Sequence, residues 1–384
     1  MKMLYIAPTI IEMDKLDGVA KKILSQVHTL SSRYEVELLY RDAKSVMLYN
    51  TKTDSFNVIQ DGKSKYDIMR SAFEIIKYHK INYSYIRYPY SDILFLALLK
   101  KMKNMNIRTV IEIPTYPYEA EGRTSLRGRV IQVLDKIFRR KLKKYVDRIV
   151  TYSDDKIIFG IKTINTINGI DFSKVTKSVE LQDLREIHLC GVATFCAVNG
   201  YDRLIEGLKN YYASGGNKKV VFDVVGYGDE KYLCKYKELV KKYHLEENVV
   251  FHGRLCGEQL DKIYNKATIG VNSLAIHRHN LVRESTLKTR EYAAKGLPIL
   301  SSCFVDAFSK KDNNEFVCRV PANESPIDMN LVINFYEKLA LRYKGKNIKT
   351  IIRLNSQKIC DMPVAMAPII EYFSNTEKQN NNVV

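Results

Sequence analysis

The sequence predicts an α/β protein built from two Rossmann-like, doubly wound domains. Its 384 residues exceed what one ordinary hydrophobic core organises. Short apolar runs alternate with helix-length amphipathic segments, which is the pattern of parallel strands joined by crossover helices. The same alternation restarts near residue 186. We therefore expect two parallel sheets, each covered by helices on both faces.

The expected domain boundaries follow from where this alternation stops and restarts. Residues 1–170 form the predicted N-terminal domain, a polar and unpatterned linker spans 171–184, and 185–360 form the C-terminal domain. Residues 361–384 are predicted to contain a helix that docks back toward the N-terminal domain. The polar tail that follows this helix is predicted to be disordered.

The first strand, loop and helix have the order that opens a doubly wound domain. The apolar run 4–10 predicts a strand, Gly18 ends the loop, and an amphipathic helix and the strand 35–40 follow. A glycine at this point lets a phosphate or a sugar approach the backbone closely. Many loop glycines only make turns, and that second interpretation remains open.

A tyrosine-rich loop, PTYPYEAEGR, follows the predicted strand 108–113. Functional residues concentrate at the carboxyl ends of parallel strands, so this loop is a candidate ligand site. Its aromatic rings could stack on a sugar, and its carboxylates could bond sugar hydroxyls or carry a proton. The candidates are Glu112, Tyr116, Tyr118, Glu119 and Glu121. The alternative is a loop that only covers its own domain.

A basic amphipathic helix is predicted around residues 127–148. Its apolar stripe consists of Val130, Leu134, Ile137, Phe138 and Tyr145, and its basic cluster of Arg139, Arg140, Lys141, Lys143 and Lys144. Such a helix suits an anionic membrane surface, whereas a packed helix with a solvated basic face is the alternative. We do not expect nucleic acid as a partner, because no reader motif accompanies the charge.

In the second half, glycines and cations follow two predicted strands. Gly226 and Gly228 end the strand of KVVFDVVGYGDE, where the backbone could approach a ligand closely. Arg254 leaves the next strand and could reach a phosphate. The loop AIHRHNLVRE adds His277, Arg278, His279, Arg283 and Glu284. This density of charged and imidazole groups favours a ligand loop over a solvated one.

The stretch RESTLKTREYAAKGLPILSS, residues 283–302, is the strongest candidate site. It predicts a helix over 286–295, with Ser285 as its N-cap and Gly296 just beyond its end. The amides of Thr286 and Leu287 and the charge of Lys288 would bind a diphosphate. Glu291, one turn further, would bind a ribose diol. The alternative is a crossover helix with a solvated Lys–Glu pair.

Several motifs together resemble the retaining GT-B glycosyltransferases of glycosyltransferase family 4. They are NGID, GYDRLIEGL, VVGYGDE, HGRLCGEQLDKIYNKA and LKTREYAAKGLPIL, which occur in order. IRYPYSD and EIPTYPYEAE resemble members that build bacterial surface polysaccharides. The resemblance implies two domains that face each other across a cleft, a nucleotide-sugar donor on the C-terminal domain and an acceptor on the N-terminal domain. It implies no metal and no cofactor.

The resemblance also assigns roles to single residues. Glu291 matches the ribose-binding glutamate, the amides of Thr286 and Leu287 match the diphosphate contacts, and Gly18 matches the N-terminal loop glycine near the donor. Arg283 stands where the family has its first glutamate, and Glu284 lies one residue later. Glu284 is therefore a candidate for the role of that first glutamate.

A second departure concerns the cations of the family. Val192 and Asn199 stand near the places of an arginine and a lysine that family members carry early in the second domain. Lys288, Arg278 or Arg254 would then supply the positive charge at the leaving phosphates. We count Lys288, Arg278 and Glu284 as the catalytic candidates.

The expected function is a metal-independent hexosyltransferase that moves a sugar from a UDP- or GDP-sugar to a glycan, with a lipid-linked acceptor. The seven cysteines lack a CxxC pair, and the N-terminus does not resemble a signal peptide, so a cytoplasmic location is expected. The net charge of +18 favours a peripheral position on the inner face of the plasma membrane. A nucleotide-sugar epimerase and a noncatalytic polyanion- or membrane-binding module are the alternatives.

Overall fold

The computed structural model describes residues 1–62, 64–118, 126–178, 186–280, 283–308 and 314–381, with only the backbone for residues 126, 127, 283 and 378–381. The chain divides into two compact units. One unit comprises Met1–Gly169 together with Met362–Val384, and the other is Ile170–Asp361. The predicted α/β class with two parallel sheets is confirmed.

A nine-stranded sheet forms the first unit within the described residues, in the order β4-β3-β2-β1-β5-β6-β7-β9-β8. The strands are β1 Lys2–Ile10, β2 Glu35–Arg41, β3 Ser45–Asn50, β4 Ser55–Asp61, β5 Tyr83–Arg87, β6 Arg108–Ile113, β7 Arg148–Thr151, β8 Ile157–Ile158 and β9 Ile161–Asn165. The six strands from β2 to β9 in this order are parallel, and β3, β4 and β8 pair antiparallel.

Helices cover both faces of this sheet. They are α1 Gly18–Ser31, α2 Lys65–Tyr78, α3 Ile93–Asn104 and α4 Leu126–Phe138, which continues as a 3-10 helix over Arg139–Lys144. Alternate residues of β1 point to opposite faces, so Met3 and Tyr5 join one apolar core while Leu4 and Ile6 join the other. The sheet therefore separates two apolar cores, one on each face.

Strands β3 and β4 form a hairpin that the sequence analysis did not predict. They interrupt the strand-helix alternation, since antiparallel neighbours need only a short turn. That turn includes Asp54, whose φ is 50°. Strand β4 is almost wholly exposed, so it lacks the apolar run that marked the other strands.

In the part of the second unit that the structure describes, six strands form a fully parallel sheet in the order β12-β11-β10-β13-β15-β17. Its strands are β10 Glu186–Phe195, β11 Lys219–Gly228, β12 Val249–Gly253, β13 Ile269–Val271, β15 Ile299–Ser301 and β17 Val317–Arg319, and β14 Arg283–Glu284 pairs separately with β16 Phe304–Val305. The strand order reverses between β10 and β13. Ligands of doubly wound folds bind beyond the carboxyl ends of the strands at such a point.

Six helices accompany the second sheet in the described residues. They are α5 Tyr201–Ala213, α6 Glu230–Lys242, α7 Gly257–Lys266, α8 Leu287–Lys295, α9 Met329–Arg342 and α10 Ile348–Cys360. Helix α10, which the sequence analysis did not predict, packs against α8. None of the described helices is both long and apolar enough to cross a membrane.

The C-terminal helix α11, Met362–Asn381, packs on the first unit, as predicted. Met366, Ile369 and Phe373 are buried in the core of that unit. The helix continues beyond residue 376, where a disordered tail was expected. The Tyr83 hydroxyl donates to Glu377 at 3.2 Å, and this bond joins the additional helical turn to β5.

The chain passes from the first unit to the second between Gly169 and Ile170 and returns between Asp361 and Met362. The first residues of the predicted linker therefore belong to the second unit. Phe172 is buried, and the Arg353 guanidinium lies 5.1 Å from its ring centroid. Residues 179–185 of the predicted linker region lie outside the described residues.

Candidate functional site

The best-formed candidate site lies where the strand order of the second unit reverses. Strand β13 ends at Val271, and the chain continues directly with Asn272 and Ser273, which are both buried. The Asn272 amide donates to Ser301 Oγ at 3.0 Å, so the ends of β13 and β15 are joined by a side chain. Polar groups are thereby held at the edge where ligands of this fold bind.

A buried ion pair fixes the segment that leads into α8. Arg290 Nη1 lies 2.5 Å from Asp306 Oδ1, and both side chains are fully buried. The Ser285 hydroxyl donates to Asp306 at 2.8 Å and accepts from Arg290 at 2.8 Å. The prediction of Ser285 as the helix N-cap is therefore wrong, because its hydroxyl is engaged by this ion pair.

Helix α8 begins one residue later than predicted, with Thr286 as its N-cap. The Thr286 side chain makes no capping hydrogen bond to the first turn. Its hydroxyl instead donates to Asn272 Oδ1 at 3.3 Å. The first-turn amides are thus left to other acceptors, and a helix N-terminus favours an anion there.

Lys288 lies in this first turn and points toward the end of β13. Its Nζ is 3.4 Å from Ser273 Oγ. Among the described residues the ammonium forms no ion pair. Burial lowers the pKa of Lys288, while the carboxylate of Glu284 acts in the opposite direction. A half-buried cation beside a helix N-terminus is suited to an anionic ligand.

Glu291 lies one turn further along α8 and is half-buried. The hydroxyl of Tyr264, a buried residue of α7, donates to Glu291 Oε2 at 3.0 Å. This bond orients the carboxylate and leaves its second oxygen available to further donors. The geometry therefore fits the predicted role of Glu291 as an acceptor for two neighbouring hydroxyls.

Glu284 lies on β14, which pairs with β16. Its Oε2 is buried and has no hydrogen-bond partner among the described residues. Its negative charge acts to raise the pKa of Lys288 and the pKa of Cys303. An unsatisfied buried carboxylate oxygen beside Lys288 keeps Glu284 a candidate for contact with a ligand.

Arg278 is occupied by protein carboxylates. Its guanidinium bonds both oxygens of Asp202, at 3.1 and 2.8 Å, and both oxygens of Glu324, at 2.9 and 2.5 Å. It also donates to the carbonyl of Ala197 at 3.1 Å. In this geometry Arg278 stabilises the loop after β13. A catalytic role would require it to break this bidentate network.

The two glycines at the end of β11 are explained by contact between strands. A Cβ atom on Gly226 would lie 1.8 Å from the Ala193 carbonyl oxygen, and one on Gly228 would lie 2.3 Å from the Phe195 amide nitrogen. Their φ angles are 140° and 150°. The glycines thus allow β11 to approach β10, which is a structural reason for a pattern that we had interpreted as a ligand contact.

Arg254 follows β12 and is exposed. Its guanidinium lies 4.9 Å from the ring centroid of Tyr227, which is also exposed at the end of β11. The pair lies at the carboxyl edge of the sheet, where the fold places its ligands. Arg254 therefore remains a candidate for donor binding.

In the first unit, Gly18 is the exposed first residue of α1. The carboxylate of Asp17 caps this helix by accepting from the Ala20 amide at 2.8 Å. The glycine stands at the start of a helix after β1, as predicted, and it remains a candidate contact for a ligand.

Glu112 is not available to an acceptor, contrary to our expectation. It is fully buried and accepts hydrogen bonds from five side chains: Lys22 at 2.7 Å, Gln26 at 2.8 Å, Tyr85 at 2.6 Å, Arg87 at 3.1 Å and Tyr152 at 2.9 Å. Burial raises its pKa, but the charges of Lys22 and Arg87 outweigh burial and bring the pKa to about 2. Glu112 is therefore a permanent structural anion.

Tyr118 is likewise committed to packing. It is buried, and its hydroxyl donates to Asp135 Oδ2 at 2.5 Å. Tyr116 is half-buried and lies edge-on to Tyr118 and to Phe159. The expected stacking of Tyr118 on a sugar conflicts with this burial, whereas Tyr116 retains part of its surface. Glu119 and Glu121 lie outside the described residues.

Sequence reasoning missed several residues that shape these sites. Asn272 and Ser273 directly follow a predicted strand, which is a usable signal for a site at a sheet edge. Lys22 and Gln26 lie four residues apart on the apolar face of α1, and buried polar residues at helical spacing also give a signal. No sequence signal pairs Tyr264 with Glu291.

The chain has the two-domain GT-B fold, which several solved glycosyltransferase structures share. Sucrose-phosphate synthase from Thermosynechococcus elongatus matches 98% of this chain and 100% of its own, with a TM-score of 0.64 and 12% identity. HepE from Anabaena, in complex with UDP and glucose, matches the same shares with a TM-score of 0.64 and 14% identity.

A third structure, a glycosyltransferase from Rickettsia africae, matches 97% of this chain and 98% of its own, with a TM-score of 0.61 and 13% identity. No protein-family model matches the sequence. No curated protein matches it either. The likeness therefore concerns the fold, and the function has to be argued from the site.

Proposed function

We propose that this protein is a glycosyltransferase that moves a sugar from a UDP- or GDP-sugar to a glycan acceptor. The observation that carries the proposal is the position of Lys288, whose Nζ lies 3.4 Å from Ser273 Oγ at the reversal of strand order in the second unit. The ammonium and the uncapped first turn of α8 offer positive charge and amide donors at one place. A diphosphate needs both.

The donor is assigned to this site group by group. The diphosphate would bind the first-turn amides near Thr286 and Leu287 and the ammonium of Lys288. The ribose hydroxyls would donate to Glu291, which Tyr264 already orients. UDP is the first nucleotide to test, because HepE was crystallised with UDP and shares the fold.

The chemistry follows from where negative charge develops. The bond between the anomeric carbon and the donor phosphate oxygen breaks, and a bond from that carbon to the acceptor oxygen forms. In the retaining route the acceptor attacks from the side of the leaving diphosphate, which takes up the acceptor proton. Lys288 stabilises the growing phosphate charge without further rearrangement, because the fold already holds it in place. This route requires no metal.

We assign the protein to surface-polysaccharide biosynthesis on the cytoplasmic side, with a lipid-linked acceptor. Support comes from the segments IRYPYSD and EIPTYPYEAE, which resemble those of enzymes of that class. The net charge of +18 suits an acceptor held at an anionic membrane.

The test compares Lys288→Ala with Lys358→Ala, a matched loss of an exposed lysine on α10 of the same unit. Purified proteins are titrated with a panel of UDP- and GDP-sugars, and binding is measured by calorimetry. The parent and Lys358→Ala should bind at least one donor equally well. Lys288→Ala should bind it about 10- to 100-fold more weakly, the loss expected for one charged hydrogen bond.

Product analysis separates the alternatives. Release of nucleotide with glycan extension supports transfer, and an α or β product with the donor's configuration supports retention. A donor that is isomerised without acceptor indicates an epimerase. If no nucleotide sugar binds and Lys288→Ala matches the parent, the donor site does not exist.

A further inference from the structure

The side of helix α4 that packs on the first unit carries a buried carboxylate, that of Asp135. Asp135 is buried and accepts hydrogen bonds from the Tyr88 hydroxyl at 2.6 Å, the Ser91 amide at 2.7 Å and the Tyr118 hydroxyl at 2.5 Å. Gly128, two turns earlier on the same side of the helix, is also buried. The helix is thus attached to the first unit through polar contacts.

Four apolar residues of α4 point in the opposite direction, whereas Phe138, which was predicted to belong to the same stripe, packs against the core of the first unit. Val130 is 58% exposed, Val133 57%, Leu134 38% and Ile137 55%. Their spacing of three and four residues places them in one stripe on the side opposite Asp135. An amphipathic helix of a globular domain normally buries such a stripe. The exposed stripe of α4 is therefore available for contact with an apolar surface outside the protein.

Cationic side chains flank the exposed stripe. Arg129 and Lys136 are exposed and lie beside it at helical spacing, and the 3-10 helix Arg139–Lys144 continues the basic character past the end of α4. The exposed cations of this second segment are Arg140, Lys141, Lys143 and Lys144. Aliphatic residues bordered by Arg and Lys match the boundary between acyl chains and anionic headgroups.

We propose that the outer face of α4 and the adjoining segment 139–144 dock on an anionic phospholipid surface. The stripe enters the headgroup boundary, and the cations contact the phosphates. A polyanion such as nucleic acid would use the cations but would give no reason to expose four aliphatic side chains. The docking concerns a surface of the first unit, so it is independent of donor binding by the second unit.

The chain contains no tryptophan, which provides a direct probe. A single Ile137→Trp variant reports on α4, and Leu341→Trp, at a position that is 74% exposed on α9, serves as the matched control. Both proteins are mixed with vesicles of phosphatidylcholine alone or of phosphatidylcholine with phosphatidylglycerol. Only Ile137→Trp with the anionic vesicles should show a blue shift and protection from an aqueous quencher.

Two further variants separate the apolar and electrostatic parts. Lys143→Gln/Lys144→Gln should weaken vesicle binding about fivefold per removed charge, and Val130→Ser/Ile137→Ser should weaken binding with little change in its salt dependence. Folding is checked by thermal unfolding, and UDP binding is measured in parallel. Unchanged UDP affinity shows that a loss of vesicle binding is specific to the surface of α4.

Three outcomes overturn the proposal. One is the absence of an Ile137→Trp shift with anionic vesicles at low salt. Another is equal binding to neutral and anionic vesicles. The third is a blue shift that depends on protein concentration without vesicles and accompanies a doubling of mass, which would make this face a contact between two copies of the chain.

Discussion

Arg290 and Asp306 form an ion pair of 2.5 Å in which neither side chain has any exposed surface. The pair links α8 to the segment after β16 and engages Ser285 from both sides. It therefore fixes the backbone that enters the first turn of α8, where Lys288 lies. The position of the candidate cation therefore depends on an ion pair that is itself fully buried.

Breaking this ion pair should destabilise the second unit. Arg290→Met leaves the Asp306 carboxylate buried without its cation, and the expected loss is about 3–5 kcal/mol of unfolding free energy. Urea unfolding followed by circular dichroism measures it. The double variant Arg290→Met/Asp306→Leu removes both charges and should recover much of the loss. A single variant as stable as the parent would contradict a buried pair.

Glu112 should make stability depend on pH in the acidic range. Its pKa in the folded state is about 2, below the ordinary 4.5, because Lys22 and Arg87 outweigh its burial. A depressed carboxyl pKa contributes stability that is fully present above the unfolded pKa and is lost as the pH falls through the folded pKa. The contribution, about 3 kcal/mol from the shift, should therefore disappear between about pH 5 and pH 2.

The check compares the parent with Glu112→Gln by urea unfolding across this pH range. The variant should be much less stable at neutral pH, since Lys22 is then buried without its anion. The difference should shrink as the pH falls. The control is Glu315→Gln, which removes one partner of a partly exposed ion pair with Arg342. It should change the free energy of unfolding by less than about 1 kcal/mol. A pH-independent difference for Glu112→Gln would contradict the assignment.

Donor affinity should fall at alkaline pH through Lys288. Burial lowers its pKa below the ordinary 10.5, so the ammonium loses its proton earlier than an exposed lysine as the pH rises. The UDP dissociation constant should therefore begin to increase at a lower pH than the titration of an exposed lysine would predict. The pH profile of Lys288→Arg should be much flatter, because arginine stays charged. Calorimetry measures both. Parallel pH profiles for the two proteins would show that another group controls binding.

Gly226→Ala should lower the stability of the fold, and any loss of UDP binding should follow from that lower stability. The added Cβ would lie 1.8 Å from the Ala193 carbonyl oxygen, so β10 and β11 would have to separate. The expected loss exceeds the roughly 1–2 kcal/mol of a left-handed residue alone. Gly253→Ala is the control, since its φ is also positive but its Cβ meets nothing within 4 Å. Normal stability with lost UDP affinity would restore the ligand interpretation of Gly226.

Local sequence patterns determined the architecture of this protein. The apolar runs that became β1, β2 and β6 and the periodic segment that became α1 were recognisable, because a buried parallel strand and an amphipathic helix each impose their own spacing on adjacent residues. The same patterns located α8, with Lys288 and Glu291 one turn apart. Strand β4 was not predicted because it is an exposed edge strand, and an edge strand needs no apolar run.

Only the tertiary structure decided which polar residues remain available. Glu112 and Glu291 look alike in the sequence, yet Glu112 is buried among five donors, whereas Glu291 is half-buried and accepts one hydrogen bond, from Tyr264. Arg278 and Lys288 look like equivalent cations, yet Arg278 is bound by Asp202 and Glu324. These outcomes depend on partners that are distant in sequence, and spacing along the chain carries no information about such contacts.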